Sequence, residues 1–301
     1  MPNFSEIFLE ISNYKSKDKN NSSIDTIRRK YIKRLGEYRN RNIICYYSWF
    51  LQKDSANLSI NDDDKNGFMN AIYKMDKSKW LDLLLHTPWW NIAATESIID
   101  YLHQIFWNNI VSVIPQLSMS WWTLIACWTK EIIMWKQSNL WPVDPQFWQI
   151  PVHWVIDEYN KAKEEIKIDK NSIPLWQTIF NKYHPTFIWE CLNAIDWWKN
   201  ITKKSLERSM YKGKDKESKE KIKKIVKYLN THNDTLNHSR HLWIDKCKEV
   251  WLKIIDLEDD NKLQDLVLSV HHCYMNTFGM TNASKIIENN IWASYIKMKI
   301  G

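Results

Sequence analysis

The chain has 301 residues, of which 44% are hydrophobic and 26% charged, and its formal net charge is +7. This composition is typical of a soluble globular protein with one large domain or two small ones. No stretch reaches the roughly 18 uninterrupted apolar residues of a membrane span, and the N-terminus lacks the basic start and apolar run of a secretory signal, so we expect no integral membrane segment and a cytoplasmic location.

The first forty residues are polar and helical in pattern, with an amphipathic stretch over Ile24–Tyr38. From residue 42 onward, strands and helices alternate. Alternation of this kind indicates an α/β fold with parallel strand pairing. The predicted strands are Ile43–Tyr47, Leu81–His86, Asn109–Pro115 and Glu131–Met134, and the predicted helices between and after them are Gly67–Met75, Ile92–Phe106, Thr123–Cys127 and Val155–Lys167.

The later part of the chain is mostly helical in pattern. A proline-rich loop over Asn139–Pro151 precedes this part. Helices are predicted over Ile179–Lys199 and Lys219–Leu229, and Cys247–Leu257 is predicted to form a helix, a turn and a strand.

Much of the positive charge lies between Lys203 and Asn230, where lysines alternate with glutamates and aspartates. A nucleic-acid surface would instead combine basic residues with aromatic ones on one face. The interleaved acids favour a solvated helical face, so we expect no nucleic acid as a partner. The alternative for Lys203–Lys227 is a surface that binds nucleic acid or another anionic surface.

Tryptophan is in excess and glycine is scarce, at 19 and 5 residues. A chain of this length would ordinarily contain about 21 glycines. Several tryptophans stand in turns and at helix starts, where glycine is the usual residue because it accepts positive φ and close backbone approach. Some bacterial lineages read the codon UGA as glycine. We therefore interpret most of these tryptophans as glycine codons translated with the wrong code table; the alternative is a protein that is truly rich in tryptophan.

Two segments carry the pattern of an acyl-transfer site. Leu83–Asn91 reads LLLHTPWWN, a strand that runs into a tight turn and then a helix. Pro115–Cys127 reads PQLSMSWWTLIAC and places Ser120 at the start of a helix. A helix N-terminus favours negative charge developing on a serine oxygen, although a serine there is also a common helix cap.

With glycine in place of tryptophan, these segments become LLLHTPGGN and SMSGGTLIAC, and Leu140–Val155 becomes LGPVDPQFGQIPVHGV. So read, the chain resembles the serine dehydrogenase proteinase family, which is related to the Clp protease and the signal-peptide peptidases of the Clp/crotonase superfamily. The likeness extends from about Asn42 to Lys297. It includes Leu257–His272 and the stretch KIIENN at Lys285–Asn290.

The resemblance implies an α/β, ClpP/crotonase-like fold of repeated β-β-α units with extra helices. It further implies a helical N-terminal extension over residues 1–40 and a serine peptidase domain over 41–297. Ser120 would be the nucleophile, and the backbone N–H groups of Trp89, Trp90 and Trp121 would form the oxyanion hole. The partners would be a peptide or protein substrate and further copies of the chain in a homo-oligomer.

The general base stays open at this point, because Ser–Lys dyads and Ser–His–Asp triads both occur on this fold. Lys161, with Lys163 close by, and His153 are the candidates. A histidine base would be oriented by Asp144 or Asp234. His86 fits a hydrogen-bonded core residue better than a base.

No cofactor or metal is expected. His271 and His272 lack acidic or cysteine neighbours at metal-ligand spacing, and the five cysteines are scattered, which favours reduced thiols. Two other functions remain open. One is a crotonase-type acyl-CoA enzyme, which uses the same oxyanion hole without a serine nucleophile. The other is a catalytically dead scaffold, which would follow if the tryptophans are real.

Overall fold

The computed structural model describes residues 3–14, 22–51, 58, 60–87, 92–118, 121–141, 145–147, 150–212, 215–230 and 241–299. Its centre is a seven-stranded sheet in the order β10-β5-β3-β2-β1-β11-β12. The first five strands in that order pair in parallel, and β11 and β12 join them antiparallel. The α/β fold class is confirmed, and β3, β4 and α5 form one β-β-α unit.

The strands are β1 (Asn42–Ser48), β2 (Leu81–His86), β3 (Ile110–Ile114), β4 (Leu117–Ser118), β5 (Glu131–Met134), β6 (Asn139–Leu140), β7 (Gln146–Phe147), β8 (Ile150–Pro151), β9 (Leu242–Trp243), β10 (Ile254–Asp256), β11 (Ala283–Asn289) and β12 (Ser294–Met298). The helices are α1 (Phe4–Asn13), α2 (Ser23–Arg39), α3 (Asp64–Ile72), α4 (Ile92–Phe106), α5 (Trp121–Cys127), α6 (Val152–Ile168), α7 (Ile173–Phe180), α8 (Phe187–Arg208), α9 (Lys216–Asn230), α10 (Ile244–Glu249) and α11 (Asn261–Met280).

Successive side chains of a strand point to opposite faces of the sheet. Because apolar side chains lie on both faces, helices cover both of them. On β1, Ile44 and Tyr46 belong to the apolar core that α3, α4, α5 and α9 share. Ile43, Cys45 and Tyr47 belong to a second core with α1, α2 and α11. All seven residues of β1 are buried, as expected for a strand covered on both faces.

Predicted strand and helix positions agree closely with the structure up to α6. β2, α4 and β5 have the predicted bounds. The prediction of one helix over Ile179–Lys199 is wrong, since α7 ends at Phe180 and α8 begins at Phe187. Pro185 lies between them, and proline disfavours helical backbone at the residue before it. The proline-rich loop also contains the short strands β6, β7 and β8.

The two N-terminal helices pack against α11 and share the second core, so they lie against the sheet domain. A buried ion pair ties them to it: Arg28 Nε donates to Glu288 Oε2 on β11 at 2.6 Å, and Arg28 Nη1 donates to Thr277 of α11 at 3.1 Å. Both side chains of the ion pair are fully buried. The division of the chain at residues 40 and 41 stays a prediction.

Three tryptophans have a left-handed backbone. Trp107 has φ 53°, Trp251 has φ 74° and Trp292 has φ 75°. Trp107 directly follows α4, Trp251 lies two residues after α10, and Trp292 lies in the turn between β11 and β12. Helix C-termini and hairpin turns are the places where glycine is preferred, because a side chain is strained there. The backbone at these three positions therefore suits glycine.

We predict that replacing Trp107 or Trp292 by glycine stabilises the protein. Relief of left-handed strain should raise the free energy of unfolding by about 1 kcal/mol at each position. Both side chains are exposed, so little packing is lost. Denaturant unfolding of each variant measures the change.

The matched control is Trp197→Gly, at an exposed tryptophan inside α8. Glycine in a helix interior should lower the free energy of unfolding by up to about 1 kcal/mol. Equal destabilisation by all three substitutions would contradict the strain argument.

Candidate active site

The two motifs of the predicted acyl-transfer site lead to the same edge of the sheet. β2 and β3 are parallel neighbours, with Leu84 opposite Val113, so their carboxyl ends lie side by side. α4 follows β2 and α5 follows β4 at that edge. Ligands of open parallel sheets bind at the carboxyl ends of the strands.

The reacting groups themselves lie outside the described residues. This applies to Ser120, Trp89 and Trp90, and to the side chain of Trp121. The described chain reaches Thr87 and resumes at Ile92. It reaches Ser118 before the serine and resumes at Trp121. The assignments of nucleophile and oxyanion hole therefore stay predictions.

His86 connects the two motifs. It ends β2, is buried, and hydrogen-bonds the backbone of Leu117, which lies three residues before Ser120. Burial lowers the pKa of His86 to about 3, and the Leu117 hydrogen bond opposes this only in part. His86 is therefore neutral near pH 7. As expected, it is a hydrogen-bonded core residue.

Aromatic rings pack around His86. Ring centroids lie 5.4 Å away for Tyr47, 4.9 Å for Phe50 and 5.2 Å for His271. The pKa of His271 lies well below its ordinary value, first because of burial and then because of the neighbouring His86. Within the described ranges, no group of three His, Cys, Asp or Glu side chains could hold a metal ion.

The candidate bases lie on α6. The side chain of Lys161 is 70% exposed, and its Nζ lies 3.8 Å from Glu165, one turn further along the helix. A dyad lysine must be neutral, and burial is what favours the neutral amine. The side chain of Lys161 is solvated instead of buried. Lys163 lies over the ring of Tyr159 at 5.6 Å. His153 is half-buried in the first turn of α6.

α6 packs on α8 rather than in the two cores that flank the sheet. Val152 and Val155 of α6 form a small cluster of their own with Phe187, Cys191 and Ile195 of α8. The possible orienting residues Asp144 and Asp234 lie outside the described residues. The choice between Lys161 and His153 stays a prediction.

A buried lysine elsewhere was missed from the sequence. Lys285 of β11 lies opposite Ser48 at the end of β1, and its Nζ donates to Asp64 Oδ1 at 2.9 Å and Oδ2 at 2.8 Å. Both side chains are almost fully buried. Burial lowers the pKa of Lys285 to about 8, although Asp64 favours the charged form.

The ion pair continues towards the site through hydrogen bonds. Tyr46 O–H donates to Asp64 Oδ2 at 2.6 Å, and the side chain of Thr87 hydrogen-bonds the same phenol. Thr87 is the last described residue before Trp89. Lys297 Nζ adds a second cation to Asp64 at 3.1 Å. The sequence signal for this network was a lysine next to the two adjacent isoleucines of SKIIEN.

We predict that Asp64→Asn destabilises the protein by about 3–5 kcal/mol, because removal of one partner leaves a buried ammonium without its counter-charge. Denaturant unfolding measures the loss. The control is Asp62→Asn, an exposed carboxylate two residues earlier, which should change the free energy of unfolding by less than about 0.5 kcal/mol. Similar values for both variants would contradict the role of the buried pair.

The fold defines a class: an α/β protein in which the chain leaves two neighbouring parallel strands, β2 and β3, at the same edge of the sheet. A family described as the ClpP-like SDH-type serine proteinases matches residues 8–183. The chain belongs to this family. The match begins before the predicted likeness at Asn42, so most of the N-terminal helices fall inside it.

Two curated relatives are similar to the chain. The uncharacterized protein MJ1495 of Methanocaldococcus jannaschii is 29% identical over 192 residues, which are 64% of this chain and 58% of that protein. The uncharacterized protein MJ0137 of the same organism is 29% identical over 194 residues, 64% of this chain and 59% of that protein. The chain thus spans less than three fifths of each relative. No solved structure matches.

In the described part of the chain, none of the helices is long and apolar enough to cross a membrane. All five cysteines are buried and free of disulfides.

Proposed function

We propose that the protein is a serine peptidase that uses Ser120 as its nucleophile. The single observation that carries this is the parallel pairing of β2 and β3, because the two motif segments continue from the carboxyl ends of these neighbouring strands. The family match supports the class of reaction. The substrate would be a peptide or protein chain, and the enzyme a cytoplasmic homo-oligomer without a cofactor.

The reaction starts when Ser120 Oγ attacks the carbonyl carbon of the scissile bond while the base takes the Oγ proton. The carbonyl oxygen becomes an oxyanion, which the backbone N–H groups at positions 89, 90 and 121 stabilise. The C–N bond then breaks, and the base returns its proton to the leaving amine. Water releases the acyl group from Ser120 by the same steps.

Glycine at positions 89, 90, 121 and 122 belongs to this proposal. Two indoles in the turn would occupy the space where the substrate carbonyl must approach the N–H groups. Overpacking costs about 1–3 kcal/mol per site, so four such sites would remove a large part of the usual stability of about 5–15 kcal/mol.

We predict that a fluorophosphonate probe labels Ser120 in the chain made with glycine at positions 89, 90, 121 and 122, and that this chain cleaves a fluorogenic peptide. Ser120→Ala should abolish labelling and cleavage. Ser118→Ala, two residues earlier, should keep both. The chain as written should be less stable and unlabelled. Labelling that persists in Ser120→Ala would overturn the assignment, as would a folded, cleaving protein with tryptophan at 89 and 90.

We propose Lys161 or His153 as the base, and pH dependence separates the two. With a Ser–Lys dyad, activity should rise with pH through the neutral to alkaline range, because only the neutral amine accepts a proton. Lys161→Ala should then abolish cleavage, while His153→Ala and the control Lys163→Ala keep most of it. The opposite pattern would assign the role to His153.

A further inference from the structure

A basic groove runs between α8 and α9. The two helices form a hairpin through a short connection, and the groove between them has a volume of about 570 Å³. Five lysines line it, two from α8 and three from α9: Lys199, Lys203, Lys219, Lys223 and Lys227. All five are exposed. Glu207 is the single acidic residue among the described residues of the lining.

The helix brings together lysines that acids separate in the sequence. Lys219, Lys223 and Lys227 recur at every fourth residue, so they form one stripe on the groove side of α9. Glu217 of α9 pairs with a different lysine: its Oε1 lies 2.5 Å from Lys221 Nζ. Lys221 and Lys224 also lie over the ring of Trp251.

The lysines of the groove have few anionic partners. Among the described residues, only Lys203 has a carboxylate within ion-pair distance, with its Nζ 3.9 Å from Glu207. Uncompensated charge of one sign lining a concave surface raises the local concentration of an oppositely charged ligand. The groove therefore favours an anionic occupant.

The floor of the groove indicates which anion fits. Ile222 is buried and Val226 half-buried, so the lysine stripes border an aliphatic strip. Among the described residues that line the groove there is no aromatic side chain, so these residues offer a nucleic-acid strand no ring on which a base could stack. Successive lysines of the stripe are about 6 Å apart along the axis, which matches acidic residues spaced four apart on a facing helix.

We propose that the groove between α8 and α9 binds an acidic, amphipathic helical segment of another protein. Its apolar side chains would lie on Ile222 and Val226, and its carboxylates would pair with the lysine stripes. This is a helix-in-groove mode of recognition. The inference concerns a surface outside the active site and does not depend on the proposed peptidase reaction.

The test is fluorescence anisotropy of the full chain with a labelled 16-residue peptide of Glu-Glu-Leu-Leu repeats. The double variant Lys203→Glu, Lys223→Glu should bind this peptide about tenfold more weakly or worse, because two cations become anions. The matched control Lys170→Glu, Lys182→Glu reverses the same number of exposed lysines outside the groove and should retain its affinity within about twofold. Melting curves confirm that both variants are folded.

Two further probes separate the proposed partner from other polyanions. A peptide of the same charge with serine in place of leucine, and a single-stranded DNA of 16 nucleotides, should both bind more weakly than the leucine peptide. The proposal is overturned if the leucine peptide does not bind, if the groove variant binds it as the parent does, or if either polar probe binds equally well.

Discussion

The pairing of β1 on both sides is the constraint on which most of the architecture depends. Its parallel bonds to β2 bring Tyr47 opposite His86, and its antiparallel bonds to β11 bring Ser48 opposite Lys285. One strand therefore aligns the carboxyl end of β2 with the buried ion pair of β11. A slip of one residue would exchange the two faces and move Tyr46 away from Asp64, so the hydrogen bond between these two side chains helps to specify the register.

Parts of this fold are readable from the sequence because they follow from local patterns. β2 and β5 are continuous apolar runs, and α4 has clear helical spacing, so their bounds were predicted correctly. The break before α8 was missed, since the apolar pattern continues across Pro185. β11 was not predicted as a strand. Its Lys285 and Glu288 look like surface residues until their partners, far away in the sequence, are known.

The site was predictable to a smaller extent. Motifs indicated which segments meet, because parallel strands place their carboxyl ends together. They could not show that Lys161 is solvated on a helix packed against α8, since burial depends on the tertiary structure. The same holds for α9. Lysines and glutamates alternate along its sequence, and only the helical repeat brings Lys219, Lys223 and Lys227 onto one face.

The distant pairing of β1 has a consequence for synthesis of the protein on the ribosome. β11 begins at Ala283, about 240 residues after β1. At a translation rate of about 5–20 residues per second, β1 is synthesised roughly 12–48 s before its antiparallel partner. Throughout that time one edge of an apolar strand carries unpaired backbone groups, which is an aggregation hazard. Arg28 also lacks Glu288 over the same interval. The nascent chain therefore has the features of a client of chaperones, and its folding rate is limited by contacts distant in sequence.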